Sequence, residues 1–317
     1  MPNIRIALMC MIAFVSPGAA AQQKPVRILV GLAAGGSLDT MTRLVAEKLR
    51  LSLAQPVIVE NRAGASGLIA IDALRAAPAD GSVLMAAASG SITLLPNTFR
   101  SPRFDPTRDF VAVAQVAQID FVLTVNPGVP ARTVAEFAAA ARADAKYGVF
   151  GSAPGTTPHL VALQFARAAG VTAVHVPYKG NAQALIDLVG GQIHAAFPAA
   201  GEVIELSKSG KVRMLAVAGA RRSALMPETP TLKESGYEVE GNAWFALFAP
   251  AGTPEAVVER LGRAVVEAAE SADLRERLAH AGIEAAGLPP KDLAAKIAAE
   301  YERVGRALRA SGFKLQE

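Results

Sequence analysis

Two turns rich in glycine and hydroxyl side chains are where this chain could do chemistry. The first, Gly31-Leu32-Ala33-Ala34-Gly35-Gly36-Ser37-Leu38-Asp39, follows an apolar run and opens a helical pattern. Gly35 and Gly36 let backbone N–H groups turn toward a ligand, and the unpaired N–H groups and positive dipole end of the following helix favour an anion. Gly31 to Gly36 has Walker spacing, but Ser37 stands where the phosphate-binding Lys is required, and the G-x-G-x-x-G spacing is absent. Neutral backbone donors without a Lys suit a carboxylate better than a triphosphate. The plainer reading is that Ser37 only caps the helix. Asp39 sits in the first turn, where a carboxylate is favoured anyway, or else receives a ligand hydroxyl or ammonium.

The second turn, Gly151-Ser152-Ala153-Pro154-Gly155-Thr156-Thr157-Pro158, repeats the device. Thr157 is the expected N-cap, with Pro158 in the first helical position, where a missing N–H costs nothing. Ser152, Thr156 and Thr157 add hydroxyls. Ala88-Ser89-Gly90-Ser91 adds more on the side of the first turn. Facing each other across a cleft, the two turns would hold a ligand with an acidic group at each end.

Enzymatic signatures are missing. No Ser lies in G-x-S-x-G. His159 falls in the first turn of a helix, where the dipole disfavours its protonation. His175 and His194 sit in or beside strands and read as structural, and His280 ends a helix. Four His and one Cys leave little for a metal site, and no cofactor is expected. Trp244 and Phe245 read as core, and Lys179 in Tyr178-Lys179-Gly180 as a turn lysine or an anion attractor.

The elements that position these turns alternate. Strands are expected at 26–30, 57–59, 83–87, 111–116, 121–125, 147–150, 171–176, 193–197, 212–218 and 243–248, with helices between most of them. Helices at 254–270, 272–281 and 291–309 end the chain. Buried strands between helices indicate parallel sheets with crossover helices. With 317 residues, 51% hydrophobic and 19% charged, the chain has room for two domains. The last hundred residues lack strands for a third, so they return to the first and add one strand. The expected division is domain 1 at 22–120 and 221–317, and domain 2 at 121–220. The two crossings between them permit hinge closure over a ligand in the cleft.

Ile6–Val15 is an apolar run after Arg5, followed by Ser16-Pro17-Gly18 and Ala19-Ala20-Ala21. This is the layout of a secretory signal peptide, residues 1–21, too short to span a bilayer. The single Cys10 lies inside it, so the mature chain carries no cysteine. No later segment stays apolar for about 20 residues, and the mature protein is expected to be exported, soluble and monomeric. A net charge of +4 from scattered basic residues gives no stripe for nucleic acid.

Several segments together resemble the Bug family of extracytoplasmic solute receptors, the TctC-like binding proteins of tripartite tricarboxylate transport. They are Ala34-Gly35-Gly36-Ser37-Leu38-Asp39, Gln55-Pro56-Val57-Ile58-Val59-Glu60-Asn61-Arg62, Val176-Pro177-Tyr178-Lys179-Gly180, Asp187-Leu188-Val189-Gly190-Gly191-Gln192 and Ala249-Pro250-Ala251-Gly252-Thr253-Pro254. The resemblance implies an α/β, two-domain periplasmic-binding-protein fold of type II, a Venus flytrap with two crossover strands and no catalytic activity. It implies a small organic carboxylate as ligand and integral membrane transporter subunits as partners. Carried over by position, one pincer is Ala33, Ala34, Gly35, Gly36, Ser37 and Asp39. The other is Ser152, Gly155, Thr156, Thr157 and His159, while Ser89 and Ser91 line the cleft. The chain departs from the family pattern in a second pincer loop about one residue shorter. It also has Pro198 in place of an Asp after Phe197, and Leu68 in place of an Asn. These changes point to a less polar cleft and a more apolar carboxylate, including an aromatic one. Two rivals use the same cleft: an exported α/β enzyme acting on an anionic substrate, and a carboxylate sensor whose closed form docks on a signalling partner.

Overall fold

The computed structural model describes residues 24–32, 34–152, 156–178 and 181–310. The expected signal peptide, Ala33, Gly155 and Lys179 lie outside the described residues.

A six-stranded sheet forms first. Strands β1 (Val26–Val30), β2 (Val57–Asn61) and β3 (Val83–Ala88) lie parallel in the order β2-β1-β3. Helix α1 (Ser37–Ser52) connects β1 to β2, and α2 (Leu68–Arg75) connects β2 to β3. Strand β4 (Phe110–Asp120) completes this first pass. The chain then builds a five-stranded sheet from β5 (Val122–Val125), β6 (Val149–Ser152), β7 (Val174–Pro177), β8 (Ala195–Ala196) and β9 (Arg213–Val217), in the order β7-β6-β8-β5-β9. Helices α3 (Val134–Ala143), α4 (Thr157–Ala169), α5 (Asn181–Val189) and α6 (Ala200–Lys208) pack around it. Helix α3 starts at a capping box: Thr133 Oγ1 accepts from Glu136 N at 3.2 Å, and the Glu136 carboxylate accepts from Thr133 N.

The chain re-enters the first sheet at β10 (Asn242–Pro250), which wedges antiparallel between β3 and β4. Helices α7 (Glu255–Glu270) and α8 (Ala272–His280) follow, then β11 (Glu284–Leu288) and α9 (Pro290–Ala310). Two expectations are corrected here. The return adds two strands rather than one, because β11 pairs with the open edge of β4. The sheets are mixed rather than parallel, since β10 and β11 run against β4, and β5 runs against β8 and β9.

Each sheet is covered on both faces. Leu44, Val45 and Leu49 of α1 join Leu261 and Val265 of α7 and Leu274 of α8 over one face of the first sheet. Ile71 and Leu74 of α2, Leu293 and Ile297 of α9, and Trp244 cover the other. In the second sheet Phe137, Phe150 and Phe165 form an aromatic core, with Phe137 and Phe165 stacked at 6.0 Å. The stretch 221–241 is held from both sides. Arg221, Ser223 and Ala224 bond Glu284 of β11, while Leu232 and Val239 pack into the second core. The sheets also meet through side contacts. Leu160 of α4 packs on Leu94, Val304 and Leu308. On the other flank Gly201 of α6 lies against Gly282, so close that a Cβ on Gly201 would collide with its backbone.

Candidate functional site

Parallel β1 and β3, with β10 running against them, bring their loops to one edge of the first sheet: Gly31 onward, Ser89 onward, and Asn242. At the end of β1 the chain turns with Gly35 at φ +86°, a left-handed conformation that favours glycine. Gly36, not Ser37, is the N-cap of α1, and no side chain caps the helix. Ser37 is the first helical residue. Thr40 N is the first amide bonded back, to Gly36 O at 2.9 Å, so the amides of Ser37 and Leu38 lack an intrahelical acceptor. Ala34, Gly35, Gly36 and Ser37 are all exposed.

Asp39 is different. It is 3% exposed and both its oxygens are engaged inside the chain. Oδ2 accepts from Gly35 N at 2.9 Å and from Arg43 Nε at 3.0 Å, and Oδ1 accepts from Asn61 Nδ2 at 2.9 Å. Burial alone would raise the Asp39 carboxyl, but the donors Arg43, Gly35 and Asn61 together hold it below the usual carboxylate range.

A third helix start joins this edge. Helix α2 begins after Gly67, at φ 100°, with no side-chain cap. Gly31 approaches Gly67 so closely that a Cβ on it would stand 3.0 Å from the Gly67 Cα. A Cβ on Gly67 would stand 3.4 Å from the Ser91 hydroxyl. Three loops therefore share one polar edge. Gly67 was not among the expected site residues, although a glycine just before a helix start, like Gly31 just after a strand, is a signal of close backbone approach. Ser89 is buried, and its hydroxyl accepts from Trp244 N at 3.3 Å.

On the second sheet, α4 starts one residue earlier than expected. Thr156 is the N-cap, without a side-chain cap hydrogen bond, Thr157 is the first helical residue, and Pro158 is the second. Proline is tolerated there because the amides of the first turn have no helical acceptor. Ser152 is buried at the end of β6, and its hydroxyl lies 2.9 Å from His175 Nε2. The His175 ring stacks on His159 at 4.0 Å. Burial, aided by the neighbouring His175, pushes His159 down to about 4, so it is neutral at physiological pH. His159 therefore buttresses the loop as an uncharged ring stacked on His175. Thr157 and Gly90 line one crevice between the sheets, with Leu94, Leu160, Gln164 and Arg303. That crevice joins the α4 start to the Ser89–Ser91 loop, and the exposed Gly35–Ser37 turn lies outside its lining.

The arrangement presents uncapped helix starts and hydroxyls from two sheets, and a buried polar network beneath. Glu300, 9% exposed, accepts from Thr93 Oγ1 and from Trp244 Nε1, both at 2.8 Å. Lys296 donates to Gln115 at 2.8 Å beside it. Among the described residues no group of three His, Cys, Asp or Glu is placed to hold a metal ion, and no helix is long and apolar enough to cross a membrane.

Residues 41–313 match the model of the TctC family, the tripartite tricarboxylate transporter family receptors. The chain belongs to that family. Protein BugT of Bordetella pertussis is 33% identical over 296 residues, covering 92% of this chain and 91% of its own. A TctC solute-binding protein from Polaromonas superimposes with a TM-score of 0.83 at 28% identity, over 92% of this chain and 99% of that one. An R. palustris protein solved with adipate superimposes at 0.75 with 31% identity, over 92% and 98%. The TctC-family chain thus has the two-domain periplasmic-binding-protein fold, and its relatives are solute-binding receptors rather than enzymes.

Proposed function

We propose that this receptor is periplasmic and captures a small organic carboxylate between two lobes, then delivers it to the membrane subunits of a tripartite tricarboxylate-type transporter. The observation that carries the reading is the pair of uncapped helix starts, α1 after Gly36 and α4 after Thr156, borne on different sheets. Each offers neutral amides and a positive dipole end to an anion. In this reading residues 1–21 are a signal peptide. The first lobe is 22–120 with 221–317 and the second is 121–220, as expected from the sequence; Leu232 and Val239 of the returning segment pack into the second core, which supports moving the second crossing toward Gly241.

The ligand carboxylate takes its hydrogen bonds from Gly36, Ser37, Thr156 and Thr157, within loops completed by Ala33, Ala34, Gly35 and Gly155. Ser89 and Ser91 line the cleft, and Asp39, Ser152 and His159 shape it. Each hydrogen bond to a charged group contributes about 1.5–3 kcal/mol. Several supply micromolar affinity, about −8 kcal/mol, after the costs of ordering and closure. Adipate bound to the R. palustris relative supports a dicarboxylate.

Thermal-shift screening of refolded, ligand-free protein tests this, with adipate, malate, citrate and aromatic monocarboxylates. A ligand at a hundred times its dissociation constant adds about 2.7 kcal/mol. No shift with any carboxylate would sink the assignment, and conversion of a hit to product would move the protein to the enzymes.

A further inference from the structure

The Gly35–Ser37 turn is exposed and glycine-rich, yet it is clamped on both sides of its middle. Asn61, the last residue of β2, donates through Nδ2 to Leu32 O at 3.2 Å and to Asp39 Oδ1 at 2.9 Å. Arg43, one turn along α1 from Asp39, donates through Nε to Asp39 Oδ2 and through a terminal nitrogen to Asn61 Oδ1 at 2.9 Å. Asp39 Oδ2 in turn accepts from Gly35 N. The result is a closed ring of hydrogen bonds through Asp39, Arg43 and Asn61, to which Gly35 N and Leu32 O are each tied.

Two consequences follow from its geometry. The Gly35 amide is already occupied, so an incoming carboxylate meets the next amides, those of Gly36, Ser37 and Leu38. The ring also places a carboxylate in the first turn of the helix that must receive another carboxylate. Two anions at one helix end repel unless the resident one is compensated.

We propose that Asn61 and Arg43 are positioning residues for ligand capture. They pin Asp39 against Gly35, which holds the turn open with its amides aligned, and Arg43 cancels the charge of Asp39. Neither touches the ligand. This inference rests on the carboxylate reading above.

The test uses the full mature chain, with calorimetric titration of adipate and malate at low and high salt. Asn61→Asp removes both donated bonds and sets a second carboxylate beside Asp39. It raises the dissociation constant at least about 10-fold, the loss of one hydrogen bond to a charged group. Arg43→Gln, on the helix surface, weakens binding more at low salt than at high, because the uncovered Asp39 charge is screened by salt. The exchange Asp39→Asn with Asn61→Asp restores a donor and an acceptor across the same gap and recovers part of the affinity. Hydrogen exchange at the Gly35 amide speeds up in Asn61→Asp. Thermal melts check folding, and Arg43→Gln serves where Asn61→Asp unfolds.

Affinities within twofold of wild type in the folded variants, or a weakening that the exchange does not relieve at all, would overturn the positioning role while leaving the receptor reading intact. A wild-type chain that binds no carboxylate overturns both.

Discussion

Asp120 is the last residue of β4, at the point where the chain leaves the first sheet. It is 2% exposed, and neither carboxylate oxygen has a hydrogen-bond partner among the described residues. It faces the Glu284 carboxylate of β11, Arg221 and Ser223 of the segment before β10, and Lys296 of α9. Burial, reinforced by Glu284, pushes Asp120 up to about 6 against the pull of Ser223 and Arg221. The sign follows directly. Between its ordinary value and about 6 the unfolded chain ionises first, so folding must hold a proton that the unfolded state has released. Stability from this group is whole below the ordinary carboxylate range and is lost as pH rises through about 6. A displacement of roughly two units corresponds to about 3 kcal/mol. Asp120→Asn removes the ionisation and keeps the shape. Urea unfolding of both proteins from pH 4 to pH 8 should give equal stability near pH 4, with the variant ahead by about 3 kcal/mol above pH 7. The difference between the two proteins cancels carboxylates such as Asp39 and Glu60, which are held low and tilt the curve the other way. A gap that does not widen with pH, or a variant less stable at pH 8, would refute the reasoning.

Other outcomes follow from the same physics. Gly35→Ala meets no atom within 4 Å but must adopt φ +86°. It should cost about 1–2 kcal/mol in denaturant melts and weaken adipate binding, and unchanged affinity would count against the turn. Because His159 is lowered to about 4, it binds a proton more readily when unfolded. Its contribution to stability is whole above the ordinary histidine value and is lost as pH falls toward 4, whereas ligand affinity should stay flat from pH 6 to 8 by calorimetry. Glu300→Ala strands the Trp244 Nε1–H in the core, while the Thr93 hydroxyl keeps Ser89 O as its acceptor at 2.9 Å. The expected loss is about 2–4 kcal/mol in urea melts, and a loss under 1 kcal/mol would show that water replaces the carboxylate.

What the sequence determined by itself is local. The apolar runs at 26–30 and 83–87 read as buried strands from composition alone, and nearly every residue of β1 and β3 is buried. The glycine pair before Ser37 marked a helix start, and α1 begins there with no side-chain cap. These signals reside in neighbouring residues, so composition and period carry them. Strand β11 shows the limit. Glu284-Ala-Ala-Gly-Leu288 has no β-branched residue and no alternation, and it is a strand only because β4 offers it an edge. The start of α4 moved by one residue because Thr156 and Thr157 are equally good caps in isolation.

The polar interior was decided only by tertiary structure. Asp39 is buried because Asn61, at the end of β2, supplies a donor, and Glu300 is buried because Thr93 and Trp244 do the same. A carboxylate looks alike in sequence whether it faces water, ligand or core. Its role depends on which distant donors the sheet order brings within hydrogen-bond reach, because removing it from water is tolerable only where such partners wait.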